Sequence, residues 1–247
     1  MTDGDSPARV GRAPIAVALD APDRATALAW AAVLAPHVPV LKVGLETYLR
    51  DGASIVDQIH EVAPTCGVFL DLKLHDIPNT VRGAARSVAG LAPEYLTVHA
   101  AGGPAMISAA AEALPGTAIT AVTVLTSLTE DDLEMIGLRG PAQDAVVRMA
   151  VMAVQAGARA IVCSPQEVAA VRAAVANEDV VLITPGVRPA SGEGSAIGDQ
   201  ARVATPQQAL ADGADLLVIG RPITAAGDPA EAARRIAESI WPWPVSR

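Results

Sequence analysis

Aromatic side chains are scarce: one Phe, two Tyr and three Trp in 247 residues. Yet 51% of the chain is apolar, so its core has to be built from Ala, Val, Leu and Ile. Such a core suits helices laid closely on a sheet. Cysteine is also rare. Cys66 and Cys163 are too few for a disulfide framework. Each lies in or beside an apolar strand-like run and reads as a small core residue. There is no run of Lys or Arg, and the net charge is −9. Nucleic acid and anionic membrane surfaces are therefore not expected partners. An anionic substrate would have to be held locally, by a few cations and backbone N–H groups. No apolar stretch reaches the roughly 18 residues of a membrane span. The opening MTDGDSPARVGRAP lacks the apolar centre of a secretory signal and reads as a disordered tail over residues 1–13. The expected compartment is the cytoplasm.

What the chain does have is a regular alternation. Short runs rich in Val, Ile and Leu fall at 15–20, 40–44, 67–73, 95–100, 118–125, 158–163, 180–184 and 215–220. Longer Ala-rich amphipathic stretches lie between them, near 23–36, 46–62, 79–91, 104–113, 143–156, 165–176, 205–212 and 228–240. Ser164-Pro165, Thr205-Pro206 and Asp228-Pro229 each place proline at an expected first helical position. Near-continuous apolar strands are the mark of a parallel sheet covered on both faces. Eight strand–helix units at this length favour a closed (β/α)₈ TIM barrel, a single domain over 14–247, rather than an open sheet. One segment does not fit the alternation, the Gly/Ser-rich stretch 185–204. A connection that long inside a compact domain is usually functional or disordered.

Barrel chemistry sits at the C-terminal ends of the strands. Those ends carry Asp20, Lys42, Asp71 with Lys73, His99, Thr126-Ser127, Ser164, Arg188 and Arg221. The densest stretch is DLKLHDIPNT, residues 71–80. If the strand persists, Asp71, Lys73 and His75 share a face, and Asp76 follows at the turn. One Asp–Lys pair would serve to close a strand end. Four or five converging charges, with Asp20 and Lys42 among them, point to chemistry. In the eighth unit Gly220 allows close backbone approach and Arg221 offers a fork for phosphate. Arg188 and Gln200 lie in the long segment, which could close over the same anion. His75 and His99 allow a competing reading, a metal-dependent sugar-phosphate lyase or epimerase with Asp71, His75 or His99 as ligands. No HxxxH or HExxH spacing supports it. A non-catalytic phosphate-ligand binding protein is a third possibility.

DLKLHDIPNT, together with VALD at 17–20, LKVG at 41–44, VTVLTS at 122–127, TPGVR at 184–188, GDQ at 198–200 and VIGRPI at 218–223, resembles the orotidine 5′-phosphate decarboxylase family. The resemblance runs from about residue 14 to 240. It implies cofactor-free, metal-free conversion of orotidine 5′-monophosphate (OMP) to UMP and CO₂ in pyrimidine biosynthesis. Carried over by motif position, Lys73 protonates C6, Asp71 faces the departing carboxylate, Lys42 pairs with the acidic array and Asp20 contacts the ribose. Asp76, Ile77 and Thr80 reach the neighbouring site of a homodimer. Thr126 and Ser127 lie near the pyrimidine, and Arg188, Gln200, Gly220 and Arg221 hold the phosphate.

Overall fold

The computed structural model describes residues 12–188 and 204–242. Apolar runs of β-branched and aliphatic residues form the strands, and Ala-rich stretches form the helices between them. The first half of the chain runs β1 (Ile15–Ala18), α1 (Arg24–Leu34), β2 (Val40–Gly44), α2 (Leu45–Asp51), α3 (Ser54–Val62), β3 (Gly67–Leu74) and α4 (Pro78–Ser87). There follow β4 (Tyr95–His99), α5 (Pro104–Ala113), β5 (Ala118–Val122), α6 (Glu130–Met135), α7 (Ala142–Gln155) and β6 (Ala160–Val162). The last units are α8 (Val168–Ala174), β7 (Val181–Thr184), α9 (Pro206–Ala211), β8 (Leu216–Ile219), α10 (Arg221–Thr224) and α11 (Pro229–Ser239). All eight strands are parallel, each pairs with the next, and β1 pairs with β8 to close the barrel. The expected fold is the observed one.

Alternate residues of each strand split the core in two. Ala16, Val40, Phe69, Tyr95, Ala160, Ile183 and Leu216 fill the barrel interior. Phe69 packs edge-on to Tyr95 with ring centroids 5.6 Å apart. The intervening strand residues face the helices, whose small side chains recur at helical spacing. Ala27, Ala31 and Leu34 of α1 are buried, as are Ala142, Ala145, Val146, Ala150 and Ala153 of α7. Alanine on that face lets each helix approach the sheet closely, so few aromatics are needed.

Helix starts follow their caps. Asp23 Oδ1 accepts from the Thr26 N–H (2.8 Å), Thr205 Oγ1 from the Gln208 N–H (3.2 Å) and Asp228 Oδ1 from the Glu231 N–H (3.0 Å). Each such cap is worth roughly 1 kcal/mol. Proline opens α9 and α11 as expected, but Ser164-Pro165 opens no helix: α8 begins at Val168. Ser164 instead hydrogen-bonds Glu167, and both are buried. The stretch 46–62 is two helices, α2 and α3, separated at Gly52, whose φ of 73° a side chain would resist. The fifth strand stops at Val122, which leaves Thr126 and Ser127 in a loop.

Arg12 and Ala13, at the end of the stretch read as a tail, are docked on the barrel. The Arg12 guanidinium donates to the carbonyls of Ala35, Val38 and Thr65, and Ala13 is buried. Residues 1–11 lie outside the described part, as do 189–203, which include Gln200 and most of the segment 185–204.

Candidate active site

The C-terminal ends of the strands surround a cavity of about 590 Å³. Its wall includes apolar side chains of four strands, Ala18, Val122, Val162 and Val218, together with Phe69. Against this apolar surface the strands set a short row of charges. Lys42 from β2 is 8% exposed and Asp71 from β3 is 9% exposed. Lys42 Nζ lies 3.6 Å from Asp20 Oδ1 and 3.4 Å from Asp71 Oδ2. Lys73 Nζ donates to Asp71 Oδ1 at 2.8 Å. The order Asp20–Lys42–Asp71–Lys73 therefore alternates in sign, and each buried charge has an opposite neighbour, as burial requires.

Burial by itself would push the Asp71 carboxyl up. The ammonium groups of Lys42 and Lys73, with hydrogen bonds from Lys73 and Thr97, outweigh it and hold Asp71 below its ordinary value. Asp71 is thus ionised at neutral pH. Gly44 protects this row sterically. A Cβ there would stand 2.7 Å from Asp20 Oδ1 and 2.9 Å from Lys42 Nζ, so any side chain has to displace the pair.

The strand does not persist in the way that simple alternation requires. Leu70 is opposite Leu96 and Leu74 is opposite Val98. Asp71, Leu72 and Lys73 therefore stand against the single residue Thr97, a bulge that re-aims the strand end. Lys73 takes up the excess with φ of 50°, a conformation rare for a residue with a side chain. His75 falls beyond the strand, is exposed, and does not line the cavity. Its ring lies 5.3 Å from that of His99. Burial, then the neighbouring His75 and Lys73, lower the His99 pKa, so His99 is neutral at neutral pH.

The remaining expected site residues divide clearly. Asp20, Lys42, Asp71, Lys73, Thr126, Arg188, Gly220 and Arg221 all line the one cavity. Asp76, Ile77, Thr80 and Ser127 do not; all four are exposed. Gln200 lies outside the described residues. Both cysteines are buried. Cys163 borders the cavity, but burial and then the Glu167 charge push its thiol up to about 12, which leaves it unreactive. Sequence reasoning passed over Gly44, Thr97 and Glu46, the last at the cavity rim. The signal for Gly44 was its place at the end of a strand beside Lys42; nothing in the sequence marked Thr97.

A profile of the orotidine 5′-phosphate decarboxylase / HUMPS family matches residues 13–236. The chain belongs to that family. It is 67% identical over 228 residues to an orotidine 5′-phosphate decarboxylase of Thermobifida fusca, covering 92% of this chain and 96% of that one. It is 56% identical over 246 residues to the Frankia casuarinae protein of the same name, covering 93% and 88%. A crystal structure of orotidine 5′-phosphate decarboxylase from Lactobacillus acidophilus superposes with a TM-score of 0.77 at 33% identity, over 93% of this chain and 99% of that chain. The closed barrel is thus a feature shared with the family's solved structures. No helix among the described residues is long and apolar enough to cross a membrane.

Proposed function

We propose that the chain converts OMP to UMP and CO₂ without a cofactor, with Lys73 as the proton donor to C6. It acts as a carboxy-lyase (EC 4.1.1.23) in pyrimidine biosynthesis, in the cytoplasm and as a homodimer. Family membership and the 67% identical relative support the reaction. The observation that carries the mechanism is the Lys73 ammonium, held 2.8 Å from an ionised Asp71 at the wall of the cavity. When the C6–carboxylate bond breaks, its electron pair stays on C6 and CO₂ leaves. A fixed ammonium beside C6 stabilises that pair and then transfers a proton to it, forming the C6–H bond. The Asp71 carboxylate faces the substrate carboxylate, so their repulsion is relieved as CO₂ departs. Lys42 holds Asp71 and Asp20 in place, and Asp20 contacts the ribose. Thr126 lies at the pyrimidine, whereas Ser127, exposed outside the cavity, is given no contact with it. Arg188, Gln200, Gly220 and Arg221 grip the phosphate, and binding energy from that remote group orders the charged row.

Asp76, Ile77 and Thr80 serve the neighbouring subunit's site. Their exposure outside their own cavity supports this, as does Ile77, an aliphatic side chain 67% exposed beside a charged residue. The metal-dependent alternative fits the geometry poorly. Both Asp71 oxygens lie against ammonium groups, which repel a cation, and His75 does not line the cavity. A pure phosphate-binding protein would have no use for the Lys42–Asp71–Lys73 row.

Absorbance assays of OMP turnover in EDTA test the function directly: full activity is expected, and activity lost to the chelator and restored by a divalent metal would favour the alternative. Arg221→Ala should lose roughly 1.5–3 kcal/mol of transition-state binding, that of one charged hydrogen bond. With orotidine lacking the phosphate, the same variant should show little further loss. Equal losses on both substrates would mean that Arg221 does not read the phosphate.

A further inference from the structure

We infer that Thr97 is a positioning residue for the reaction, its hydroxyl tying the Lys73 main chain to the Asp71 carboxylate and so fixing where the Lys73 ammonium stands. The inference rests on the function proposed above. Thr97 is fully buried in the middle of β4 and does not line the cavity. Its Oγ1 accepts from the Lys73 N–H at 2.7 Å and donates to Asp71 Oδ1 at 3.1 Å. A hydroxyl has one proton and two acceptor positions, so the two bonds are compatible and their directions are set. The amide can only donate, and the ionised carboxylate can only accept.

The bulge explains why such a tie is needed. Three residues of β3 face Thr97 alone, so the regular ladder is interrupted at Lys73. A part-buried N–H there needs a partner, and the threonine side chain supplies it. The Lys73 backbone is also in the left-handed region, a state that persists only where surrounding groups hold it. The same oxygen of Asp71 that receives the threonine proton receives the Lys73 ammonium. Main chain, carboxylate and ammonium of the proposed proton donor are thus referred to a single hydroxyl. Valine has the shape of threonine without either hydrogen-bonding function, whereas serine keeps both functions and loses only a methyl.

The test compares Thr97→Val and Thr97→Ser in the full chain. Misplacing the proton donor should cost Thr97→Val about 10–100-fold in kcat. UMP affinity should stay within about threefold, because the proposed ribose and phosphate contacts do not involve Thr97. Thr97→Ser should return most of the lost kcat. In the wild-type protein the Lys73 amide should exchange slowly with solvent, and in Thr97→Val at least about tenfold faster. Wild-type kcat in Thr97→Val would overturn the inference. So would equal damage by serine and valine, or an unprotected Lys73 amide in the wild type. If valine prevents folding, Thr97→Ala takes its place under the same criteria. A wild-type chain inactive on OMP would instead remove the reaction assignment, while the amide exchange would still report whether the tie exists.

Discussion

Lys73→Ala should leave a folded barrel that no longer turns over OMP. The variant removes the proposed proton donor, worth about 10²–10⁴ in rate, together with the preorganised charge at C6, worth about 10²–10³. The combined loss is on the order of 10⁵-fold, close to the floor of an absorbance assay. Folding should survive, because Asp71 keeps Lys42 at 3.4 Å and the Thr97 hydroxyl at 3.1 Å. Binding of a 6-substituted UMP analogue and an unchanged cooperative unfolding transition would separate a dead site from a lost fold. A variant retaining even a tenth of wild-type turnover, a difference of about 1.4 kcal/mol, would refute the role.

The second large effect is a rescue. Asp76→Ala and Lys73→Ala homodimers should each be nearly inactive. If every site combines Lys73 of one chain with Asp76 of the other, a mixed dimer has one site with both lesions and one with neither. Unfolding and refolding equal amounts together makes about half the dimers mixed, so roughly a quarter of wild-type activity should return. If Asp76 served its own chain, every site would keep one lesion and nothing would return. Absence of rescue, with mixed dimers verified by mass, would reject the shared site. The exposed position of Asp76 outside its own cavity is what motivates the experiment.

Much of the fold was legible because parallel strands buried on both faces are largely apolar, and each of the eight runs of the sequence overlaps a strand. Their ends were less legible. The run 118–125 continues past Val122 in composition, yet the strand ends there, with a last bond from the Thr123 N–H to the Val162 carbonyl. Glu130–Met135 passed unread because its capping box, Thr129 with Asp132, introduces only six residues. At the site, the charges stood out because charge at the end of an apolar run is costly and so informative. Thr97 did not stand out, since a threonine inside YLTVH is what any strand would hold. Its role depends on the slip of β3 against β4, which involves two strands at once. A period-2 reading of one strand put His75 on the face of Asp71 and could not detect that slip.

The Arg12 guanidinium is fixed at the far end of the barrel from the charged row, on carbonyls at Ala35, Val38 and Thr65. The strands fix the distance between the two ends, so the pole that anchors the N-terminal segment and the pole that handles substrate share no side chain. Loss of the Arg12 bonds should therefore lower stability while leaving turnover per folded molecule unchanged, since the two sites are distant and share no partner.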